Sequence, residues 1–232
     1  MPATLLLYAG GAAVPLAGLW MTWRAGGREG LRALGRSAID VRRIPARWWA
    51  FILLFVPLLH AATLLVARLA GLDPGPVAIA SAHEGDPLGF LLFAAFILFL
   101  GPVPEEIGWR GYALGALMER FPAAAASLLL GIAWAAWHVP LFFIQGYYAP
   151  FGGPPDPIPF FGAIVASSVL YTWIWRNTGR SLLAAILFHF MVNFTGELLP
   201  LGAELEALRA LLLGAFAALL LAFRPTLRGG RG

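Results

Sequence analysis

Two adjacent carboxylates and an arginine, Glu105, Glu106 and Arg110, stand between the apolar run ending at Gly101 and the next beginning near residue 123. In a chain that is 60% hydrophobic and 12% charged, such placement has a price: a charge at a bilayer centre costs roughly 2.5 to 3.5 kcal/mol on insertion scales. Glu106 and Arg110 are four positions apart, so on a helix they share a face and can neutralise each other. Glu105 points about 100° away and is left free to act on a proton or a water. Of the four histidines, His138 and His189 lie inside apolar segments. Asn193 follows His189 by one helical turn, and the two present donors of the kind that stabilise a developing oxyanion, where one well-placed bond is worth about 2.7 to 4 kcal/mol. Acid, base and oxyanion groups together suit hydrolysis by an activated water.

The elements that must position these groups are membrane spans. Several segments are apolar nearly all round and long enough to cross about 30 Å of hydrocarbon, which gives an all-α, polytopic bundle of about seven spans with its active site inside the membrane. The spans are expected at 3–23, 48–70, 88–119, 123–143, 160–175, 182–199 and 207–223. The first lacks the basic start of a signal peptide and reads as a retained span. The net charge of +4 comes from arginines, with no lysine, and they cluster in loops as topology signals rather than as a nucleic-acid surface. Arg24, Arg28, Arg32, Arg36, Arg42, Arg43 and Arg47 place the first loop in the cytoplasm. The four at four-residue spacing line one face of an interfacial helix on anionic lipid, or else mark a solvated linker. Later loops alternate in charge accordingly, with the N-terminus outside and the C-terminus cytoplasmic.

The third span is too long: about 32 residues would make a helix of about 48 Å. Gly101, Pro102 and Pro104 predict a break just before the glutamates, which then begin a fresh helical stretch. At 1.5 Å per residue Glu105 lies about 21 Å from the inner end of its span, His138 about 22 Å, His189 about 13 Å and Asn193 about 19 Å, within reach of one layer. His60 reads as structural, through an interhelical hydrogen bond, His83 as solvated in an acidic outer loop, and Arg68 and Arg209 as snorkelling to an interface. The Gly- and Pro-rich loop 145–159 is placed to gate the outer face.

Three motifs in order, Glu105-Glu106-Ile-Gly-Trp-Arg110, Trp134-Ala-Ala-Trp-His138 and His189-Phe-Met-Val-Asn193, resemble those of the CAAX-protease and bacteriocin-processing (CPBP, or Abi) family of intramembrane endopeptidases, related to the Ras-converting CAAX endopeptidase. The resemblance covers about 88–199, a catalytic core between two N-terminal spans with a basic linker (1–87) and a last span with a basic tail (200–232). It implies that Glu105 and His138 activate a water, that His189 and Asn193 form the oxyanion site, and that Glu106 and Arg110 are a structural ion pair. Trp134 stands where that family usually has phenylalanine, an exchange expected to touch packing more than chemistry. Catalysis without a cofactor is the preferred version; a zinc ion on Glu105, His138 and His189 is the other.

Cysteine is absent, which excludes thiol nucleophiles and cysteine-bound zinc, and there is neither a Gly-x-Ser-x-Gly elbow nor an intramembrane aspartate. Two alternatives of other classes stand beside the endopeptidase: a proton-coupled transporter using the buried carboxylates and histidines, opposed by the lack of an inverted repeat, and a non-catalytic immunity or partner membrane protein. The expected partners are membrane lipids and a membrane-associated peptide or protein substrate, with no nucleic acid. The expected location is a prokaryotic inner membrane, and the oligomeric state is left open.

Overall fold

The computed structural model describes residues 2–73, 85–149, 152–224 and 227, with side chains from residue 7 onward. His83 and the acidic Glu84 beside it lie outside the described residues, as do Arg228 and Arg231 of the basic tail.

The described elements are helical. In chain order they are α1 (Pro2–Ile39), a 3₁₀ turn (Val41–Arg43), α2 (Ala46–Leu69), α3 (Pro87–Leu100), α4 (Pro102–Gly108), a π-helical turn (Trp109–Ala113), α5 (Leu114–Met118), α6 (Ala123–His138) running into a second 3₁₀ turn (Val139–Phe143), α7 (Pro157–Asn177), α8 (Leu182–Leu198) and α9 (Ala203–Phe223). Five stretches are long and apolar enough to cross a membrane: Ala46–Leu69, Pro87–Met118, Ala123–Phe143, Pro157–Asn177 and Ala203–Phe223, with Leu182–Leu198 a shorter apolar helix. With α1 these correspond to the expected segments, and the chain is an all-helical membrane protein.

Local chemistry explains where the helices start. Asp86, Asp156 and Ser181 cap α3, α7 and α8, accepting from the backbone N–H of Gly89 at 2.9 Å, Ile158 at 3.0 Å and Ala184 at 3.2 Å, and Pro87 and Pro157 follow two of these caps, at a position that needs no donor. Glu204 and Glu206 sit in the first turn of α9, where the helix dipole favours negative charge.

The long third stretch breaks at Gly101, whose φ of −118° and ψ of −84° are not helical. Pro102 then opens α4, with Glu105 in its first turn, so the carboxylates do begin a new helix. The π-helical turn at 109–113 is a feature that the proline pattern did not announce.

Helix α1 continues well past the expected span end at 23, but it is broken at Gly27, with φ 57° and ψ −148°, a conformation essentially restricted to glycine. The four-residue register of arginines is therefore interrupted: Arg24 lies before the break, whereas Arg28, Arg32 and Arg36 lie after it and do not continue its face. Glu29 pairs with Arg36 at 2.6 Å and Arg32 at 3.6 Å on this second segment.

Packing is tightest where side chains are smallest, as expected where lipid competes on equal terms for apolar surface. Helices α1 and α4 cross at Gly18 and Gly108; a Cβ on Gly18 would stand 2.7 Å from the Gly108 Cα and 2.8 Å from the Ile107 carbonyl oxygen. The main core joins α2, α6, α7, α8 and α9 through Ile52, Val56, Trp134, Leu170, Tyr171, Phe188 and Leu213. Helix α3 instead exposes Leu88, Leu91, Leu92, Phe96 and Phe99, a face suited to acyl chains.

Candidate active site

Four elements converge on the polar centre. Glu105 and Glu106 come from α4, Arg110 from the π-helical turn, Trp134 and His138 from α6, and His189 and Asn193 from α8; Tyr171 of α7 closes the group from the core side.

Glu106 and Arg110 are fully buried, and Arg110 Nη1 donates to Glu106 Oε1 at 2.8 Å. The guanidinium lies between two aromatic faces, 4.0 Å from the ring centre of Tyr171 and 4.6 Å from that of Trp134. A planar, weakly hydrated cation suits this slot better than an ammonium would.

Glu106 has a second partner that its spacing from Arg110 did not predict. His189 Nδ1 lies 2.9 Å from the same Oε1. An ionised carboxylate only accepts, so Nδ1 carries the proton, and His189 Nε2 is a donor only when the ring is an imidazolium. The structural pair thus also fixes the orientation of a site histidine. Trp134 and Tyr171 pack edge-on to that ring at 5.3 and 5.7 Å between centroids.

Glu105 is half-buried, and its Oε2 accepts from the indole Nε1–H of Trp134 at 2.8 Å. His138 donates from Nδ1 to the backbone carbonyl of Trp134 at 2.8 Å; a carbonyl cannot donate, so the neutral ring has its lone pair on Nε2. Glu105 and His189 both lie within electrostatic range of His138. A Cβ on Gly101 would stand 3.3 Å from Asn193 Nδ2, which places the Asn193 amide against the helix break just before the glutamates. Glu105, His138, His189 and Asn193 are therefore brought to one region from three separate helices.

Trp134 does more than the expected packing role. Its N–H makes a bond to Glu105 that a phenylalanine has no atom to make.

Other expectations move as well. His60 donates from Nδ1 to Val56 O in its own helix at 3.1 Å, not across helices, and Arg209 has a partner in Glu206 at 2.5 Å. Tyr147, in the loop after α6, was not singled out by the motifs. Burial pushes its phenol pKa up, and the charges of Glu105 and Glu197 add to the effect, which sets this part of the 145–159 loop on the Glu105 side of the site. Tyr171 belongs to none of the three motifs; its sequence signal is a ring with a polar tip in the middle of an expected span that also holds Ser167, Ser168 and Thr172.

Among the described residues no group of three His, Cys, Asp or Glu side chains stands close enough to hold a metal ion. Glu105, His138 and His189 do not form such a group.

Fold and centre define a polytopic helical membrane protein with a buried carboxylate, histidine and arginine cluster. Residues 87–195, the segment that carries all the site residues, match the family described as Type II CAAX prenyl endopeptidase Rce1-like. A curated relative, CAAX prenyl protease 2 of Methanococcus maripaludis, is 32% identical over 136 residues, 55% of this chain and 48% of the relative. The chain thus spans about half the length of that relative.

Proposed function

We propose that the protein is a CAAX-type intramembrane endopeptidase that hydrolyses a peptide bond of a membrane-associated peptide or protein. The observation that carries this reading is the convergence of Glu105 and His138 with a His189 and Asn193 pair, held by Trp134 and Glu106, on a segment of Rce1-like type.

In the mechanism, a water donates one proton toward the Glu105 carboxylate and the other to His138 Nε2, leaving its lone pair directed at the scissile carbonyl. Glu105 takes the proton as the C–O bond forms and returns it to the amine as the C–N bond breaks, with no covalent enzyme intermediate. Asn193 donates its amide N–H to the oxyanion. His189 joins it from Nε2–H as an imidazolium whose Nδ1–H donates to the Glu106 carboxylate. Arg110 holds the Glu106 carboxylate in place for that task through its Nη1 bond to Oε1.

The reaction belongs to the core 88–199, and the remaining spans hold it in the membrane, which we take to be a prokaryotic inner membrane, with the N-terminus outside and the C-terminus cytoplasmic. No metal is required in this mechanism.

The test is full-length protein in lipid vesicles, incubated with membrane-embedded and lipidated peptide libraries, with and without exhaustive chelation, and cleavage read by mass spectrometry. Cleavage that survives chelation is the expected result. Loss of cleavage on chelation, restored by zinc, overturns the metal-free mechanism; no cleavage, together with proton-coupled solute uptake by the vesicles, favours a transporter instead.

A further inference from the structure

We infer that Trp134 is a positioning residue that sets the two water-activating groups against each other from a single side chain and its own carbonyl; this inference rests on the endopeptidase reading above. Glu105 and His138 come from different helices, α4 and α6, and no described hydrogen bond joins them directly. Trp134 bonds both: Nε1–H to Glu105 Oε2 at 2.8 Å, and its backbone carbonyl to His138 Nδ1 at 2.8 Å.

Each bond does a different job. The indole donor engages one carboxylate oxygen, which leaves Oε1 of Glu105 as the oxygen available to the water and restrains rotation of the carboxylate between equivalent settings. The carbonyl selects the His138 tautomer with Nε2 unprotonated, the form able to accept from water.

Trp134 is itself held firmly. It is buried, with the Arg110 guanidinium over its face at 4.6 Å and the rings of His189 and Tyr171 at 5.3 and 5.6 Å. The same indole thus separates the Glu105 and His138 half of the site from the Glu106, Arg110 and His189 half while touching both. A displacement of about 1 Å in such a constellation is enough to cost about a hundredfold in rate.

A ring that only filled space would be indifferent to the loss of its N–H. The experiment therefore replaces Trp134 in the full-length protein with 3-benzothienylalanine, which keeps the bicyclic shape and exchanges N–H for sulfur, and compares it with wild type and Trp134→Phe on a cleaved peptide. The expected result is a fall in kcat of about 10- to 100-fold in both variants, the range of a hydrogen bond to a charged group, with KM within about twofold. In parallel, the indole N–H NMR resonances of the nine tryptophans are recorded; the one missing in Trp134→Phe is expected to move upfield in Glu105→Ala.

An unchanged kcat for the benzothienyl variant beside an active wild type overturns the inference and leaves the endopeptidase reading standing. A Trp134 resonance that ignores Glu105→Ala also overturns it. A wild type that cleaves nothing while the resonance moves overturns the endopeptidase reading but supports the link between Trp134 and Glu105.

Discussion

The buried pair of Glu106 and Arg110 makes a demanding prediction about stability. Arg110→Met keeps much of the side-chain volume but leaves the Glu106 carboxylate, fully buried, without the partner now 2.8 Å away. Glu106 Oε2 already lacks a protein partner in the native arrangement, and the carboxylate would keep only the His189 Nδ1 bond to Oε1 at 2.9 Å. Breaking a buried pair from one side typically costs about 3 to 5 kcal/mol, and the loss of two cation–π contacts, at 4.0 and 4.6 Å, adds about 1 to 2 kcal/mol. Removing both charges, as Arg110→Met with Glu106→Gln, abolishes the orphaned ion. The double variant should therefore lose at least about 1 kcal/mol less than the two single variants summed, the signature of groups in direct contact. The assay is denaturant unfolding of the four proteins in one detergent, followed by tryptophan emission. An Arg110→Met protein within about 0.5 kcal/mol of wild type, the ordinary range of surface substitutions, or strict additivity in the double variant, would refute the assignment of this pair as the site's electrostatic anchor.

Gly101→Ala puts a methyl group 3.3 Å from Asn193 Nδ2; kcat is expected to drop with little change in unfolding midpoint, and a fully active variant would show that Asn193 is not held at the helix break. The Tyr148 phenol is pushed up to about 12 by burial and by Tyr147. Its contribution to stability is full below the ordinary phenol range near 10 and is lost as pH climbs through about 12. Spectrophotometric titration of wild type against Tyr148→Phe should remove a late-titrating group, and a difference centred at 10 would contradict the burial of this loop. Because the chain has no cysteine, Arg36→Cys and Glu204→Cys can be labelled singly in intact cells. An impermeant thiol reagent should reach position 204 from outside and not position 36, and the reverse pattern would invert the proposed orientation.

Much of the architecture was written in one-dimensional signals. Apolar length marked the spans, Asp86, Asp156 and Ser181 stood ahead of helix starts, and Gly101-Pro102 forecast the break that lets Glu105 begin a helix. The proximity of Glu106 and Arg110 followed from four-residue spacing alone, because the contact is local. What escaped was set by the rotation of one helix against another. The face of α8 toward α4 decides that His189 meets Glu106, and the face of α6 decides whether the Trp134 N–H points at lipid or at Glu105. Periodicity defines the faces of a helix without naming the opposing residue. The break at Gly27 and the π-helical turn at 109–113 are backbone departures of a few residues, where a glycine or an extra residue per turn has no distinctive neighbour to betray it.

In the proposed mechanism Glu105, and not its neighbour, handles the proton of the attacking water. Single-turnover cleavage of one membrane-embedded peptide by wild type and Glu105→Gln, at matched folding and peptide occupancy, addresses it directly. The predicted result is a fall of about a hundred- to ten-thousandfold in the cleavage rate, the usual contribution of a general base, with substrate affinity retained. Cleavage by Glu105→Gln at the wild-type rate would contradict the account.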